Sequence, residues 1–336
     1  MKEKISVLGA GAWGLALAHT LMDNGHEVLL WTIDEEAVKE INEEHKIEKY
    51  LKGFNIKFND NIKATTSLEE AVNFAKYIIV TLPTQIIRKV LTGLKLTEPK
   101  VFINGSKGIE ISTGMTISEV LEDILDKNYL EGNVTLSGPS HAEEVSQRMA
   151  TAVTVSCKEI EIAKKVRSLF SNNYFKLYVS TQQKDIELAA ALKNVFAIGS
   201  GIAAGMGLGD NSKAALVARG LVEMIRFTKS YTNNETALFG LAGLGDLVVT
   251  AYSNHSRNFT FGRYIGEGKT VEEAIKLVGA TIEGLQTLKV LNKLAKERGI
   301  EMPIAEGIYS VIYENKNPKD AIAKLMLREN LYDNNY

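Results

Sequence analysis

The hydrophobic residues in the first half of the chain fall into short, nearly continuous runs that alternate with segments of helical spacing. The runs are rich in Val, Ile and Leu, and they cover residues 5–8, 28–32, 77–82, 101–104 and 134–137. Continuous apolar runs of this length are typical of parallel strands that are covered on both faces. Strands that alternate with helices predict an α/β fold with a doubly wound, mostly parallel sheet.

The second half of the chain has a different pattern. A last strand–helix–strand series is expected at 152–156, 160–170 and 175–179, where it would extend the sheet. Beyond residue 183 the strand-like runs stop, and Gly and Asn separate helical segments at 183–206, 211–229, 257–267, 270–278, 283–298, 303–314 and 318–328. The pattern therefore predicts two domains, with the sheet in residues 1–183 and an all-α domain in residues 184–336.

Two places in the first half carry a helix start signal. Ser67 precedes Glu70, and Ser140 precedes Glu143, by the three residues that a capping box requires. Both serines are therefore expected to begin helices.

Composition narrows the kind of protein. The 336 residues are 45% hydrophobic and 24% charged, as in ordinary soluble proteins, which allows two sizeable cores. A net charge of −2 gives no overall positive field, so neither nucleic acid nor an anionic membrane surface is expected as a partner. One cysteine, Cys157, and five histidines without metal-ligand spacing predict no disulfide framework and no metal site. The first strand begins almost at once, so no signal peptide and a cytoplasmic location are expected.

One stretch of the helical half, residues 188–209, contains a single charged residue, Lys193. Its length alone would allow a membrane span. Its five glycines and its central Lys193–Asn194 pair favour instead a buried helix between the domains, without membrane insertion.

A glycine-rich motif, Gly9-Ala10-Gly11-Ala12-Trp13-Gly14, lies between the first predicted strand and the helix after it. This is the context of the dinucleotide-binding fingerprint. Gly9 would permit the tight turn, Gly11 the approach of a pyrophosphate, and Gly14 the close packing of helix on sheet, with the helix N-terminus facing the phosphates. The motif predicts a Rossmann-type dinucleotide-binding domain; the alternative is an ordinary glycine-rich turn.

The second predicted strand ends near Asp34, twenty residues after Gly14. A carboxylate at this distance binds the adenine ribose 2′-hydroxyl and favours NAD. No Arg or Lys occurs between residues 27 and 38 to pair with a 2′-phosphate. The alternative is that Asp34 only caps the next helix.

Two further loops follow predicted strands, at residues 104–108 and 137–142. Ligands of open α/β sheets bind outside the carboxyl ends of the strands. Lys107 is therefore a candidate for holding a substrate phosphate or hydroxyl, although it could equally be a surface lysine. His141 is expected to be a solvated loop residue.

Two isolated charges occur in apolar, glycine-rich parts of the helical half. Lys193 has Ala189, Ala190 and Phe196 as its helical neighbours, and Asp246 is the only formally charged residue between 235 and 257. Burying an ammonium without a partner is costly. The two charges are therefore expected to share one buried polar site; the alternative is a purely structural salt bridge.

The segment Ser256-Arg257-Asn258 precedes a helical segment. Arg257 offers a planar, permanently charged donor and Asn258 an amide donor, both suited to a phosphate dianion at a helix start. The alternative is a capped helix with a surface arginine.

With these residues identified, the chain resembles the bacterial NAD(P)-dependent glycerol-3-phosphate dehydrogenases nearly from end to end. The matching strings, in the same order, are GAGAWG at 9–14, SKGIE at 106–110, SGPSHAEEV at 137–145, ALKNVFAIGSGIAAG at 191–205, GLGDNSKAAL at 207–216, GLAGLGDLVVT at 240–250 and HSRN at 255–258.

The resemblance implies reversible hydride transfer between a nicotinamide and C2 of dihydroxyacetone phosphate or sn-glycerol 3-phosphate, with NAD or NADP as cofactor, no metal, and a role in phospholipid synthesis. Lys193 resembles the family's catalytic lysine. The residues that resemble its substrate contacts are Lys107, Gly138, Ser140, Lys193, Asn194, Asp246, Thr250, Ser256, Arg257 and Asn258. Those that it implies for the cofactor are Gly9, Gly11, Ala12, Trp13, Gly14, Ile33, Asp34, Lys107, Ala142, Arg257, Thr281 and Glu283.

One position departs from the family pattern. Ile33 stands where relatives often have Arg or His, a cation that would favour NADP, and together with Asp34 it points towards NAD. The physiological direction, feedback inhibition and oligomeric state are not set by these residues, and a homodimer is expected only by analogy with other two-domain dehydrogenases.

Two other functions are compatible with parts of the pattern. A dehydrogenase for a 3-hydroxyacid or a sugar acid would have the same build, but such enzymes place Lys and Asn one helical turn apart, whereas Lys193 and Asn194 are adjacent. Cys157 lies among strand residues, which disfavours a cysteine nucleophile. A nicotinamide-binding sensor would explain the glycine motif but not Lys193 and Asp246.

Overall fold

The computed structural model describes residues 2–47, 49–51, 56–232 and 234–329. The chain divides into two compact units. Unit 1 comprises residues 1–107 and 117–183, and unit 2 comprises residues 108–116 and 184–336. This division places residues 108–116 with the helical unit, whereas the sequence pattern assigned them to the sheet domain.

The described part of unit 1 is built on an eight-stranded sheet in the order β3-β2-β1-β4-β5-β6-β7-β8. The strands are β1 (Lys4–Leu8), β2 (Glu27–Trp31), β3 (Ile62–Thr65), β4 (Tyr77–Val80), β5 (Lys100–Asn104), β6 (Leu130–Ser137), β7 (Thr151–Ser156) and β8 (Phe175–Ser180). Neighbouring strands are parallel except β6 and β7, which are antiparallel. The first six strands have the order of the dinucleotide-binding fold, which confirms the predicted doubly wound sheet.

The helices of unit 1 follow its strands. They are α1 (Ala12–Asp23), α2 (Glu35–Lys39), α3 (Leu68–Phe74), α4 (Thr84–Leu91), α5 (Ile117–Ile124), α6 (Ala142–Ser146) and α7 (Ile160–Phe170), and a π-helical turn, Glu40–Glu44, continues α2. Helix α1 is buried from Gly14 to Met22 and packs against α6. Strands β1, β4 and β5 are buried along nearly their whole length. Because a buried strand needs apolar side chains on both faces, each one is a nearly continuous apolar run that can be recognised in the sequence.

The edge strand β3 is absent from the sequence-based prediction. Its four residues alternate between buried Ile62 and Ala64 and the exposed Lys63. A strand with two apolar side chains is too short to stand out from a loop.

Unit 2 is helical. Its helices are α8 (Gln183–Gly205), α9 (Asp210–Lys229), α10 (Asp246–Tyr252), α11 (Arg257–Gly266), α12 (Val271–Val278), α13 (Glu283–Arg298), α14 (Pro303–Tyr313) and α15 (Pro318–Met326). A 3₁₀ turn, Thr236–Phe239, and a π-helical turn, Leu241–Gly245, lead into α10. These turns and α10 are missing from the prediction because Gly240, Gly243 and Gly245 resemble helix breakers.

The glycines of α8 allow it to pack closely on α11. A Cβ on Gly201 would lie 2.1 Å from the carbonyl oxygen of Phe259, and a Cβ on Gly262 would lie 2.1 Å from that of Ile198. Helix α8 is long and apolar enough to cross a membrane by length and composition, but 89% of its most apolar 18-residue stretch is buried inside the protein. The prediction of a buried helix is therefore confirmed, whereas its position between the domains stays a prediction.

Helix capping agrees with the prediction at one site and differs at another. Ser67 caps α3 by accepting a hydrogen bond from the backbone N–H of Glu70. The prediction for Ser140 is wrong, because α6 begins after His141 and the Ser140 hydroxyl donates to the Gly138 carbonyl instead. A complete capping box occurs at Thr270 and Glu273, before α12.

Candidate functional site

The turn between β1 and α1 has the geometry that its glycines predict. Gly9 has φ +116°, and a Cβ there would lie 2.9 Å from the Thr81 carbonyl oxygen. A Cβ on Gly14 would lie 1.9 Å from the Gly9 oxygen, so only glycine fits. A Cβ on Gly11 would meet no atom within 4 Å, which leaves its backbone open to a ligand. Gly11 also caps α1, and Ala12 and Trp13 form its first turn.

The carboxyl ends of the parallel strands continue this edge of the sheet. Thr81, directly after β4, donates its hydroxyl to the Gly9 carbonyl oxygen at 2.9 Å and so holds the turn. Gly105, directly after β5, donates its N–H to Val80 at 2.9 Å, and a Cβ there would lie 3.0 Å from Nε1 of Trp13. The edge is therefore made from backbone atoms and small residues, as close approach of a ligand requires.

Asp34 follows β2 and has several partners. Its carboxylate caps α2 by accepting from the N–H of Ala37 at 3.3 Å, and it accepts from Nζ of Lys49 at 2.6 Å and from the Tyr50 hydroxyl at 3.2 Å. The hydrogen bond from Lys49, followed by that from Ala37, lowers the pKa of Asp34. Asp34 thus caps α2, which was the alternative to a role in ribose binding. Its lowered pKa keeps it an anion just after β2. Ile33 beside it is 84% exposed.

The loops after β5 and β6 meet at the same edge. Nζ of Lys107 donates to the Gly138 carbonyl oxygen at 3.3 Å, and the Ser140 hydroxyl donates to the same oxygen at 3.0 Å. Gly138 has φ +153°, and a Cβ there would lie 2.9 Å from Cα of Val153. Ala142, the first residue of α6, is buried. The structure thus brings Lys107 and Ser140 together at one carbonyl oxygen.

Lys193 and Asp246 form a buried ion pair within unit 2. Nζ of Lys193 lies 2.6 Å from Oδ1 of Asp246, and the residues are 5% and 1% exposed. The same ammonium donates to the Thr250 hydroxyl at 2.6 Å, and that hydroxyl donates to the Asp246 backbone oxygen at 2.6 Å. Because Asp246 and Thr250 lie one turn apart on α10, both face α8. The expected convergence of the two charges is confirmed.

A second polar chain lies beside Lys193 on α8. Asn194 accepts from Nδ2 of Asn258 at 3.0 Å and contacts Oε2 of Glu283 through its own Nδ2 at 3.4 Å. Oδ1 of Asn258 accepts from the backbone N–H of Gly284 at 2.9 Å. A Cβ on Gly284 would lie 2.6 Å from that Oδ1, so the glycine permits the contact. These bonds fix the orientation of both asparagine amides.

The start of α11 carries the remaining predicted residues of unit 2. Ser256 is buried and caps the helix by accepting from the N–H of Phe259 at 3.2 Å. Arg257, the first residue of α11, is exposed. Thr281 is exposed in the loop before α13. An exposed arginine beside a capped helix start can receive an anion from solvent.

Cys157 belongs to the hydrophobic core of unit 1. Cys157 is fully buried, and burial raises the pKa of its thiol to about 11. A thiol of this kind is a poor nucleophile. Among the residues that the structure describes, no three or more His, Cys, Asp or Glu side chains are grouped so as to hold a metal ion.

Three residues near these groups were missed from the sequence. Thr81 lies within the apolar run 77–82, and its position near the end of the strand next to β1 was the available signal. Lys49 and Tyr50 lie in a loop with no pattern of their own, and only the fold brings them to Asp34.

A Rossmann-type sheet with the glycine fingerprint in place, and a helical unit with a buried Lys–Asp pair, define a dinucleotide-binding protein of the dehydrogenase class. Comparison with known proteins makes this more specific. Residues 4–163 match the N-terminal model, and residues 184–323 the C-terminal model, of NAD-dependent glycerol-3-phosphate dehydrogenase.

The chain is 45% identical over 334 residues to a glycerol-3-phosphate dehydrogenase [NAD(P)+] of Ligilactobacillus salivarius, covering 98% of each chain. It is similar to the crystal structure of glycerol-3-phosphate dehydrogenase from Coxiella burnetii, with a TM-score of 0.90, 32% identity and coverage of 97% of this chain and 99% of that one. It is also similar to the structure of Plasmodium falciparum glycerol-3-phosphate dehydrogenase, with a TM-score of 0.87, 27% identity and coverage of 98% of this chain and 97% of that one. The chain belongs to the NAD-dependent glycerol-3-phosphate dehydrogenase family.

Proposed function

We propose that the protein is an NAD(P)-dependent sn-glycerol-3-phosphate dehydrogenase, which interconverts sn-glycerol 3-phosphate and dihydroxyacetone phosphate. The observation that carries the proposal is the buried contact of Lys193 with Asp246, at 2.6 Å, in a chain of this family. An ammonium held in a dry site is a suitable proton donor to a developing alkoxide.

The β1–α1 turn fits a dinucleotide. Gly11 leaves free space where a pyrophosphate would approach, and α1 directs its first N–H groups to that side. Gly9, Gly14 and Thr81 hold the turn in shape. When bound, the nicotinamide supplies the hydride for reduction and accepts it in the reverse direction.

The chemical step in unit 2 is proton transfer. In the direction of reduction, Nζ of Lys193 gives its proton to the oxygen on C2, and in the reverse direction it takes that proton back. Asp246 stabilises the ammonium form and, with Thr250, holds Nζ in one position. Asn194 acts beside it as a fixed amide donor or acceptor for substrate hydroxyls, because its own orientation is set by Asn258.

Arg257 and the buried start of α11 hold the phosphate in this proposal. The guanidinium supplies charge-assisted hydrogen bonds, and Ser256 and Asn258 supply short polar side chains at the same helix start. Within unit 1, Nζ of Lys107 and the Ser140 hydroxyl both donate to the Gly138 carbonyl oxygen, which supports a role for these residues as substrate contacts. Binding the phosphate far from C2 restrains the orientation of the carbonyl, which lowers the entropic cost of reaction.

For the cofactor we propose a preference for NADH over NADPH. Asp34 and the acidic first turn of α2, Glu35 and Glu36, would repel a 2′-phosphate, whereas Lys49 is already paired with Asp34. Replacing Asp34 with Asn should raise the NADPH to NADH affinity ratio about fivefold, the effect of removing roughly 1 kcal/mol of repulsion. Fluorescence titration of both cofactors measures the ratio without catalysis. An unchanged ratio would exclude Asp34 as a determinant.

The activity is tested by following NADH and NADPH absorbance with a panel of substrates. We expect rapid reduction of dihydroxyacetone phosphate and little turnover of unphosphorylated dihydroxyacetone, 2-dehydropantoate or a keto sugar acid. Preferential turnover of a 3-oxoacid would establish the other type of dehydrogenase. Cofactor binding without turnover on any of these substrates would favour a sensor.

The cellular setting follows from this activity. The glycerol phosphate produced would supply phospholipid synthesis, and we propose a cytoplasmic enzyme acting on a small phosphorylated substrate without nucleic acid or membrane insertion. A homodimer is part of this proposal, and sedimentation of the purified protein would test it.

A further inference from the structure

A cavity of about 460 Å³ lies in unit 2, apart from every residue assigned to the substrate or cofactor. Its walls come from the C-terminal part of α8 and from α9, α14 and α15. This volume is within the range of small-molecule binding sites. Nothing in the proposed dehydrogenase reaction uses this space.

The cavity has an apolar part formed by four helices. Leu216 of α9 and Ile308 of α14 meet over Gly199 of α8, where an added Cβ would lie 2.7 Å from Ile308 and 3.4 Å from Leu216. Helix α15 adds Ile322 and Leu325 to the lining. These side chains form an apolar slot.

Helix α15 lines the cavity without completing a core. None of its residues is buried, although it is amphipathic, and Met326 is 80% exposed. Apolar side chains that line a void gain from a hydrophobic occupant, since their contact with water is then removed. The packing of α15 therefore favours a ligand with an apolar part.

The other part of the cavity is charged. Arg219, Glu223 and Arg226 are spaced by four and three residues on α9, so they face the same side of the helix. Arg226 donates to the backbone oxygen of Glu301, and Arg328 pairs with the Glu301 carboxylate at 3.1 Å. Three guanidinium groups and two carboxylates thus line the cavity.

The carboxylate of Glu223 is already engaged. Its two oxygens accept the N–H groups of Ile304 and Ala305, at 2.6 and 3.1 Å, at the start of α14. Burial raises the pKa of Glu223 to about 7, so near neutral pH part of its negative charge is absent. The residues that line this part of the cavity are therefore three arginines and two glutamates, an excess of positive side chains that suits an anionic head group.

We propose that this cavity is a binding site for a single-chain anionic amphiphile. Its hydrocarbon chain would lie between Leu216, Ile308 and α15, and its anionic head would lie against Arg219, Arg226 and Arg328. The ligand is recognised as a dissolved monomer. The proposal does not depend on the dehydrogenase activity.

Calorimetric titration with dodecyl phosphate below its micelle concentration tests this site. We expect saturable binding of one molecule per chain, and no comparable binding of dodecyltrimethylammonium, which has the same chain and opposite charge, or of inorganic phosphate, which lacks the chain. Equal binding of the cationic amphiphile would overturn the proposal. So would binding to phosphatidylglycerol vesicles without binding of the monomer.

Variants separate the two parts of the cavity. Arg219→Met should weaken dodecyl phosphate binding about ten- to a hundredfold, the worth of a hydrogen bond to a charged group. Ala321→Phe should fill the apolar slot and weaken binding similarly, with circular dichroism to check folding. Lys276→Met on α12, outside the cavity, removes the same charge and should change nothing. Binding that persists in both cavity variants would overturn the proposal. So would a wild-type protein that binds no amphiphile and forms a dimer that Ala321→Phe dissociates.

Discussion

The two units differ in the atoms that would contact a ligand. In unit 1 the β1–α1 turn offers backbone groups, and its residues Gly9, Gly11 and Gly14 have no side chains. In unit 2 the corresponding groups are buried side chains, above all Lys193, Asp246 and Asn258. A site made from backbone atoms depends on shape, so the exchange of a glycine for alanine disrupts its fold only where the added Cβ would clash. A side-chain site depends on charge and hydrogen bonding, and each member needs its partners. The two kinds of site should therefore respond differently to mutation.

The largest effect is expected at Lys193. Its exchange for Ala should lower kcat for dihydroxyacetone phosphate about 10²–10⁴-fold, as is usual for the loss of a general acid. NADH binding, measured by fluorescence, should change little. Because Asp246 would remain buried without its ammonium, thermal unfolding must be followed in parallel. Near-normal turnover by Lys193→Ala would show that the assignment is wrong.

Arg257→Met should affect binding more than chemistry. We expect KM for dihydroxyacetone phosphate to rise about ten- to a hundredfold, with a smaller change in kcat, because charge-assisted hydrogen bonds to the phosphate are lost. The matched control is Arg263→Met, two turns further along α11, which should leave KM unchanged. Equal KM values for both variants would remove Arg257 from the phosphate site.

Two glycines of the β1–α1 turn provide a contrast within the backbone site. Gly14→Ala should cost about 3 kcal/mol of stability, at the upper end of the usual range for overpacking, because its Cβ would meet the Gly9 oxygen. Gly11→Ala should fold with wild-type stability but bind NADH more weakly. Denaturant unfolding and NADH titration of both variants check this, and a stable Gly14→Ala that binds NADH normally would contradict it.

Glu223 should give a smaller, pH-dependent effect. Its pKa is raised by burial from 4.5 to about 7, so the unfolded chain loses this proton first as the pH rises. The stability contributed by the protonated group is complete below about pH 4.5, declines up to about pH 7 and is then constant. The decline should be about 3 kcal/mol.

Glu223→Gln cannot ionise and should lose less stability between pH 5 and pH 8 than the wild type. Urea unfolding at both pH values measures the difference, with the exposed Glu267→Gln as control. Parallel losses in Glu223→Gln and wild type would show that Glu223 does not hold its proton in the folded state.

The parts of the fold that were predicted correctly have strong local causes. Buried strands such as β4 are continuous apolar runs, and the helices α13 and α14 have regular spacing between clear stops. The edge strand β3 and the helix α10 were missed because two apolar residues, or several glycines, give no local signal. Their structure is set by neighbours distant in sequence.

The site shows the same division. Lys193 and Asp246 were paired from the sequence because each is an isolated charge in an apolar context, which implies a buried partner. Ser140 was expected to cap a helix, and instead it binds the Gly138 oxygen beside Lys107, since the chain turns before α6 begins. The Lys49–Asp34 contact was beyond reach, because it joins two loops through tertiary structure alone.

The assignment of residues 108–116 to unit 2 has a consequence for dissecting the protein. Ile109 is 1% exposed and belongs to the helical core, and Gly114 lies against Leu294. A fragment that begins at residue 184 would lack this segment and leave part of its apolar surface uncovered. Gene fusions or split-protein designs that cut once, between the halves of the sequence, should therefore yield an aggregation-prone C-terminal piece, and supplying the nine-residue segment through a linker should restore its solubility.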